Sequence, residues 1–96
     1  QQSRVSITIA DVNAHSSIAI TLAHGQGNGD VYYRQGRWPS TSNNDGASTN
    51  PGNNECIYID NINQNGSYWG YIEVNGAAQD ASFVVDFDTP GCRTAP

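Results

Sequence analysis

The chain of 96 residues contains no lysine and no methionine, and its four arginines face nine carboxylates for a net charge of −5. Binding to a phosphate backbone runs on clustered Lys and Arg, so nucleic acid is excluded as the main partner. No apolar run approaches the roughly twenty residues that cross a bilayer, and no charged segment followed by an apolar h-region is found, so no membrane span is expected. Cysteine is scarce, with only Cys56 and Cys92, and the C-x-x-C spacing of a metal or redox pair is absent. One disulfide between them is the best use for the two thiols, which places the protein in a secreted, extracellular setting. The chain also begins at Gln1 without an initiator methionine. Signal-peptide removal or excision from a longer precursor would each leave such an end, and both lead outside the cytosol.

What is present is a lean but sufficient set of core formers, 36% hydrophobic with two Trp, five Tyr and two Phe. That length suits one domain and is too short for separate cofactor and substrate lobes. Apolar and polar residues alternate with the period of two that marks half-buried strands. The runs are Val5/Ile7/Ile9, Ile18/Ile20/Leu22, Val31/Tyr33, Ile57/Ile59, Tyr68/Gly70/Ile72/Val74 and Phe83/Val85/Phe87. Six or more strands and no helix are predicted. Turn signals separate them at Asp11 to Ser17, His24 to Gly29, Asn61 to Gly66 and Asn75-Gly76, and one long polar loop is expected from Pro39 to Asn54. Antiparallel strands with one buried face argue an all-β fold, a small β-sandwich or jelly-roll-like domain.

Catalytic signals are weak. His15 and His24 are the only imidazoles; both fall in turns, without the ligand spacing of a zinc site. No G-x-S-x-G elbow occurs, and neither cysteine has the neighbours of a thiolate nucleophile. No enzymatic activity is expected. The stretch Gly25-Gln26-Gly27-Asn28-Gly29-Asp30 lacks the following helix of a nucleotide loop and the stacked copies of a calcium repeat, which leaves a turn into the next strand. Calcium stays open by another route, since opposing loops can present carboxylates; Asp30, Asp45 and Glu55 are the candidates, each with solvated acid as its plainer reading. No other cofactor is implied.

The aromatic residues are more informative. With Tyr68, Ile72 and Val74 facing inward, Trp69 and Tyr71 would face outward, where domain packing does not account for them. Trp38, beside Pro39, and Tyr32 join them as candidates for a binding or assembly surface. Outward rings suit stacking on sugars, packing on a collagen-like polymer, or a protein interface, and a covering loop is the equal alternative.

Four blocks in order resemble the bacterial pre-peptidase C-terminal (PPC) domain family. They are Asp30-Val31-Tyr32-Tyr33-Arg34-Gln35-Gly36-Arg37-Trp38-Pro39-Ser40, then Asp45, then Gly52-Asn53-Asn54-Glu55-Cys56, then Gly66-Ser67-Tyr68-Trp69. With the flanking strands the resemblance covers about Ser3 to Asp88, so a single domain over 1–96 is expected, with a tail at 89–96. The resemblance implies a non-catalytic β-sandwich appended to secreted bacterial hydrolases. Some members bind collagen, chitin or other polymers, and some bind calcium. Two departures matter. The family's first Asp is Asn28 here, and the Cys that follows the loop Asp is replaced by Gly46. The short loop disulfide is therefore impossible, and the bridge is expected to be re-routed so that Cys92 ties the tail to the Glu55-Cys56 strand.

Asn65-Gly66-Ser67 fits the N-glycosylation sequon, with a plain solvated loop as the favoured reading for a bacterial type of domain. Two functional expectations stand side by side. One is a secreted module for adhesion to a polymer such as collagen, chitin or another polysaccharide, or to a protein partner. The other is a self-assembling surface or filament subunit, a homo-oligomer of PPC-like protomers. A cleavable C-terminal segment of a secreted protease ranks below both.

Overall fold

The computed structural model describes residues 4–23, 27–49, 55–77 and 82–92. These form seven strands, β1 (Arg4–Ile9), β2 (Ser17–Ala23), β3 (Gly27–Gln35), β4 (Gly46–Ser48), β5 (Glu55–Asp60), β6 (Gly70–Ala77) and β7 (Ser82–Phe87). Single-turn 3-10 helices follow β1 at Val12–Ala14 and β5 at Ile62–Gln64. The strands make two antiparallel sheets, β1-β6-β3-β4 and β5-β2-β7. All six predicted apolar runs fall on strands except at Tyr68, and their inward residues form the core between the sheets: Ile18, Ile20 and Leu22 of β2 with Val31, Tyr33, Ile57, Ile72 and Val74.

Val12 and Ile62 complete that core from the 3-10 turns, at 0% and 2% exposure. Both plug the end of the sandwich where β1, β3, β5 and β7 finish. Each turn is entered through a left-handed residue, Asp11 at φ 64 and Asn61 at φ 60, a conformation that Asp and Asn tolerate better than other side chains.

Three expectations are corrected. The polar stretch from Pro39 to Asn54 is not one loop, because β4 lies within it. β4 carries no large residue since its inner face has no room: a Cβ on Gly46 would sit 2.8 Å from Ile57 Cγ2 and 3.1 Å from Ile59 Cδ1. Asn75-Gly76 is not a turn but part of β6, whose backbone absorbs the positive φ of 80 at Gly76. β6 and β7 belong to different sheets, so the chain crosses the sandwich rather than folding back. Tyr68 does not face inward; β6 starts at Gly70, and Tyr68 is 48% exposed.

The segments β1-β2-β3 and β5-β6-β7 have the same connectivity and register, related by a pseudo-twofold axis. The strand order β1-β6-β3 corresponds to β5-β2-β7. Ile7 pairs with Ile72 as Ile57 pairs with Ile20, and Val31 pairs with Val74 as Phe83 pairs with Leu22. Val12 N–H donates to Tyr68 O at 3.0 Å as Ile62 N–H donates to Ser16 O at 3.1 Å. Beyond β3 and β7 stand Gly36 at φ 96 and Asp88 at φ 59, whose N–H groups donate to Trp69 O and Ser17 O. Each half thus supplies two strands to one sheet and, to the other sheet, the strand that lies between its partner's two.

Candidate functional site

Four aromatic residues, Trp38, Tyr68, Trp69 and Tyr71, form two ring pairs at the plugged end, where β3 finishes and β6 starts. Gln35 sets the geometry from below. Its side chain is 7% exposed, and its Nε2 donates to Ile62 O at 3.0 Å and to Ser67 O at 2.9 Å. That pins the segment leading to Tyr68 and Trp69, and the Gly36 N–H bond to Trp69 O at 2.9 Å fixes its far side. Gly36 is required here, since its φ of 96 is disfavoured for L side chains and a Cβ would lie 2.9 Å from Ser67 Oγ.

From Gly36 the chain turns back and lays Trp38 edge-on against Tyr71, with centroids 4.9 Å apart at 64°. Tyr68 and Trp69 make a second edge-on pair at 5.2 Å and 77°. Trp38, Trp69 and Tyr68 are 45%, 46% and 48% exposed. Edge-to-face pairing suits the ring quadrupoles and holds each ring without burying it. Arg34 stands opposite Tyr71 in the ladder, and Arg37 is exposed beside Trp38. Two of the four arginines therefore flank this strip on an otherwise acidic chain. Tyr32 is withdrawn from the expected surface. It lies mid-sheet between Ala47 and Glu73 and is 9% exposed.

On the other sheet the outer face of the central strand is covered, with Tyr58 of β5 exposed beside it. The outward residues of its central strand are small, and Ser17, Ala19 and Thr21 are 2%, 0% and 8% exposed. The segment after β7 crosses them as a strap. Ser17 Oγ donates to Thr89 O at 3.1 Å, and Cys92 is bonded to Cys56 with their Cα atoms 6.0 Å apart. The Cys92 sulfur rests 3.4 Å from Ile57 O and 3.6 Å from Ile20 O; a disulfide sulfur has no proton, so these are packing contacts.

The calcium candidates are not brought together. Asp30 is on the outer face of β3, opposite Asn75. Asp45 precedes β4, and its Oδ2 accepts the Gln35 N–H at 2.8 Å. Glu55 is 2% exposed at the start of β5, where Oε1 accepts the Ser48 hydroxyl at 2.7 Å. Parity in the strands separates them, and among the described residues no group of three or more His, Cys, Asp or Glu could hold a metal ion. Asn65 is exposed, and its Oδ1 accepts the Ser67 N–H at 3.1 Å. His24 and Gly52–Asn54 lie outside the described residues. Burial pushes the Tyr33 hydroxyl well above its usual pKa, with Asp45 adding to the shift, so it stays protonated.

Sequence reasoning missed a polar knot at the strap's origin. His15 Nδ1 is 2.7 Å from Asp88 Oδ2, and its ring stacks on Phe87 at 4.1 Å. Ser16 donates to Asp88 Oδ1 from both its N–H, at 2.7 Å, and its hydroxyl, at 2.9 Å. A carboxylate only accepts, so Nδ1 carries the proton. The Ser16 hydroxyl bonds to Asp88 and not to the imidazole, which is not a nucleophile-and-base arrangement. The hydrogen bonds from His15 and Ser16 lower the Asp88 pKa from 3.8 to about 2. A carboxylate depressed by folding stabilises above its unfolded pKa and loses that contribution as pH falls through the folded one. Asp88→Asn keeps a residue tolerant of positive φ, so its melting temperature should change less than that of the wild type between about pH 4 and pH 2. Parallel slopes in that window would reject the role of Asp88.

The family model described as the bacterial pre-peptidase C-terminal domain matches residues 10–76. A "Microbial collagenase" of Vibrio alginolyticus is 40% identical over 92 residues, which are 96% of this chain and 11% of the collagenase. No solved structure matches. With a model match over more than half of its length and strands where the family blocks require them, the chain belongs to the bacterial pre-peptidase C-terminal domain family.

Proposed function

We propose that this chain is a non-catalytic extracellular binding module that holds a fibrous protein, collagen, on the aromatic strip Trp38, Tyr71, Trp69 and Tyr68. The observation that carries this reading is the set of four rings held in two edge-on pairs at one end of the four-stranded sheet, with Trp38, Trp69 and Tyr68 about half exposed, while the central strand of the other sheet carries small residues beneath the strap. The triple helix winds three polyproline-II-like chains whose pyrrolidine rings present flat apolar surfaces. Tryptophan and tyrosine are the residues that dock such surfaces, and they lose little conformational freedom in doing so. Arg34 and Arg37 add donors for the carbonyls and carboxylates of the fibre. The related collagenase supports collagen over chitin as the ligand class, and on this reading the module keeps an attached enzyme at its substrate.

Co-sedimentation tests the proposal. The isolated chain should pellet with native collagen fibrils and stay in the supernatant with chitin. Equal pelleting with both polymers, or with neither, rejects it.

A further inference from the structure

The turn that feeds the aromatic strip carries a reactive pair. Asparagine followed by glycine sets an amide carbon next to a backbone nitrogen that no side chain shields. The sequence has this pair three times, at Asn28-Gly29, Asn65-Gly66 and Asn75-Gly76. Two of them are inside strands. Gly29 is buried in β3, and Asn75 stands in β6 between Arg4 of β1 and Asp30 of β3. Asn65 and Gly66 are instead both exposed, between the second 3-10 turn and β6. Gly66 has φ 85, and a Cβ built on it would meet nothing within 4 Å. Among the described residues, neither the C=O nor the N–H of the peptide joining Asn65 to Gly66 is hydrogen-bonded. That peptide is free to swing its nitrogen toward Asn65 Cγ.

We propose that Asn65 is a site of spontaneous covalent modification, converted through a succinimide to isoaspartate and aspartate, and that isoaspartate there releases the Tyr68 and Trp69 pair. Gly66 N, its proton taken by solvent base, attacks Asn65 Cγ. The N–Cγ bond forms, the Cγ–Nδ2 bond breaks, and ammonia leaves with the returned proton. Water then opens the ring. Attack at Cγ leaves aspartate, and attack at the former main-chain carbonyl leaves isoaspartate, in which the chain runs through Cβ. Both products exchange a neutral amide for a carboxylate, but only isoaspartate lengthens the main chain by a methylene. The turn is tied by hydrogen bonds that depend on its length: Asn65 Oδ1 accepts the Ser67 N–H at 3.1 Å, Gly66 O accepts Asn13 Nδ2 at 3.3 Å, and Ser67 O accepts Gln35 Nε2 at 2.9 Å. The last of these holds the segment that carries Tyr68 and Trp69, and an inserted methylene displaces it. The consequence for binding rests on the collagen reading, whereas the chemistry does not.

Ageing the full chain in warm, mildly alkaline buffer tests this. Peptide mapping should find conversion at Asn65 about tenfold or more ahead of Asn28 and Asn75, since strand residues react only from locally opened states. The near-ultraviolet circular dichroism of the aromatic pairs should fall as isoaspartate accumulates. Asn65→Gln, whose longer side chain does not close the five-membered ring, should keep that signal on ageing. Fresh Asn65→Asp gains the charge without the extra methylene and should keep it too. In co-sedimentation the aged wild type should bind collagen fibrils less than the fresh protein, and ageing should leave Asn65→Gln unchanged. Conversion at Asn28 or Asn75 that matches Asn65, or an aromatic signal that does not follow conversion at Asn65, overturns the proposal. A fresh wild type that binds no collagen rejects the collagen reading alone, and the peptide map and the spectrum still decide this one.

Discussion

Serine at both Cys56 and Cys92 is expected to lower the unfolding free energy by about 4 kcal/mol. The bridge spans a sequence separation of 36, and loss of that closure frees the denatured chain. Small domains hold only about 5 to 15 kcal/mol in all, so the variant would be marginal at best. The folded state loses something too. Without Cys92 the strap keeps, among the described residues, its Asp88 and Thr89 bonds, and Ala19 and Thr21 lose the cover of the bridge. Urea unfolding followed by fluorescence should show a lower midpoint, with a steeper slope from the more expanded denatured state. A loss below about 1 kcal/mol would show that the strap does not hold the sheet.

The second large effect concerns binding. Trp38→Ala with Trp69→Ala removes one ring from each edge-on pair, and affinity for collagen fibrils should fall at least about 30-fold, the factor that corresponds to a 2 kcal/mol hot spot. Both side chains are about half exposed, so stability should change little. Tyr58 is the matched control. It is 40% exposed on the outer face of the three-stranded sheet, opposite Ala19, and Tyr58→Ala should bind as the wild type does. Loss with Tyr58→Ala, and none with the tryptophan pair, would move the site to the strapped face.

How far each feature could be read in advance follows from its physics. Strands β1, β2, β5 and β7 announce themselves because branched and aromatic side chains alternate along them. β4 carries no such signal, since space under Ile57 and Ile59 admits only small residues. Val12 and Ile62 are single apolar residues in polar turns, and period alone cannot mark them as core. The bridge was legible by count, as two thiols allow one pairing. Trp69 precedes β6, which starts at Gly70, so its 46% exposure comes from the segment entering the strand and not from strand alternation. Asp88 and His15 are 73 residues apart, and no local pattern joins them. The pseudo-twofold left a short trace, Ile9-Ala10-Asp11-Val12-Asn13 against Ile59-Asp60-Asn61-Ile62-Asn63. Only the shared strand register turns that trace into a repeat.

The central claim is that an open aromatic strip on a strapped sandwich captures collagen. It is tested most directly by the fraction of protein pelleting with native collagen fibrils, compared between the wild type and the Trp38→Ala/Trp69→Ala variant in one titration. Saturable binding by the wild type and near-complete loss in a variant with an unchanged melting temperature is the expected result. Equal binding by both, or no saturable binding by either, would contradict it.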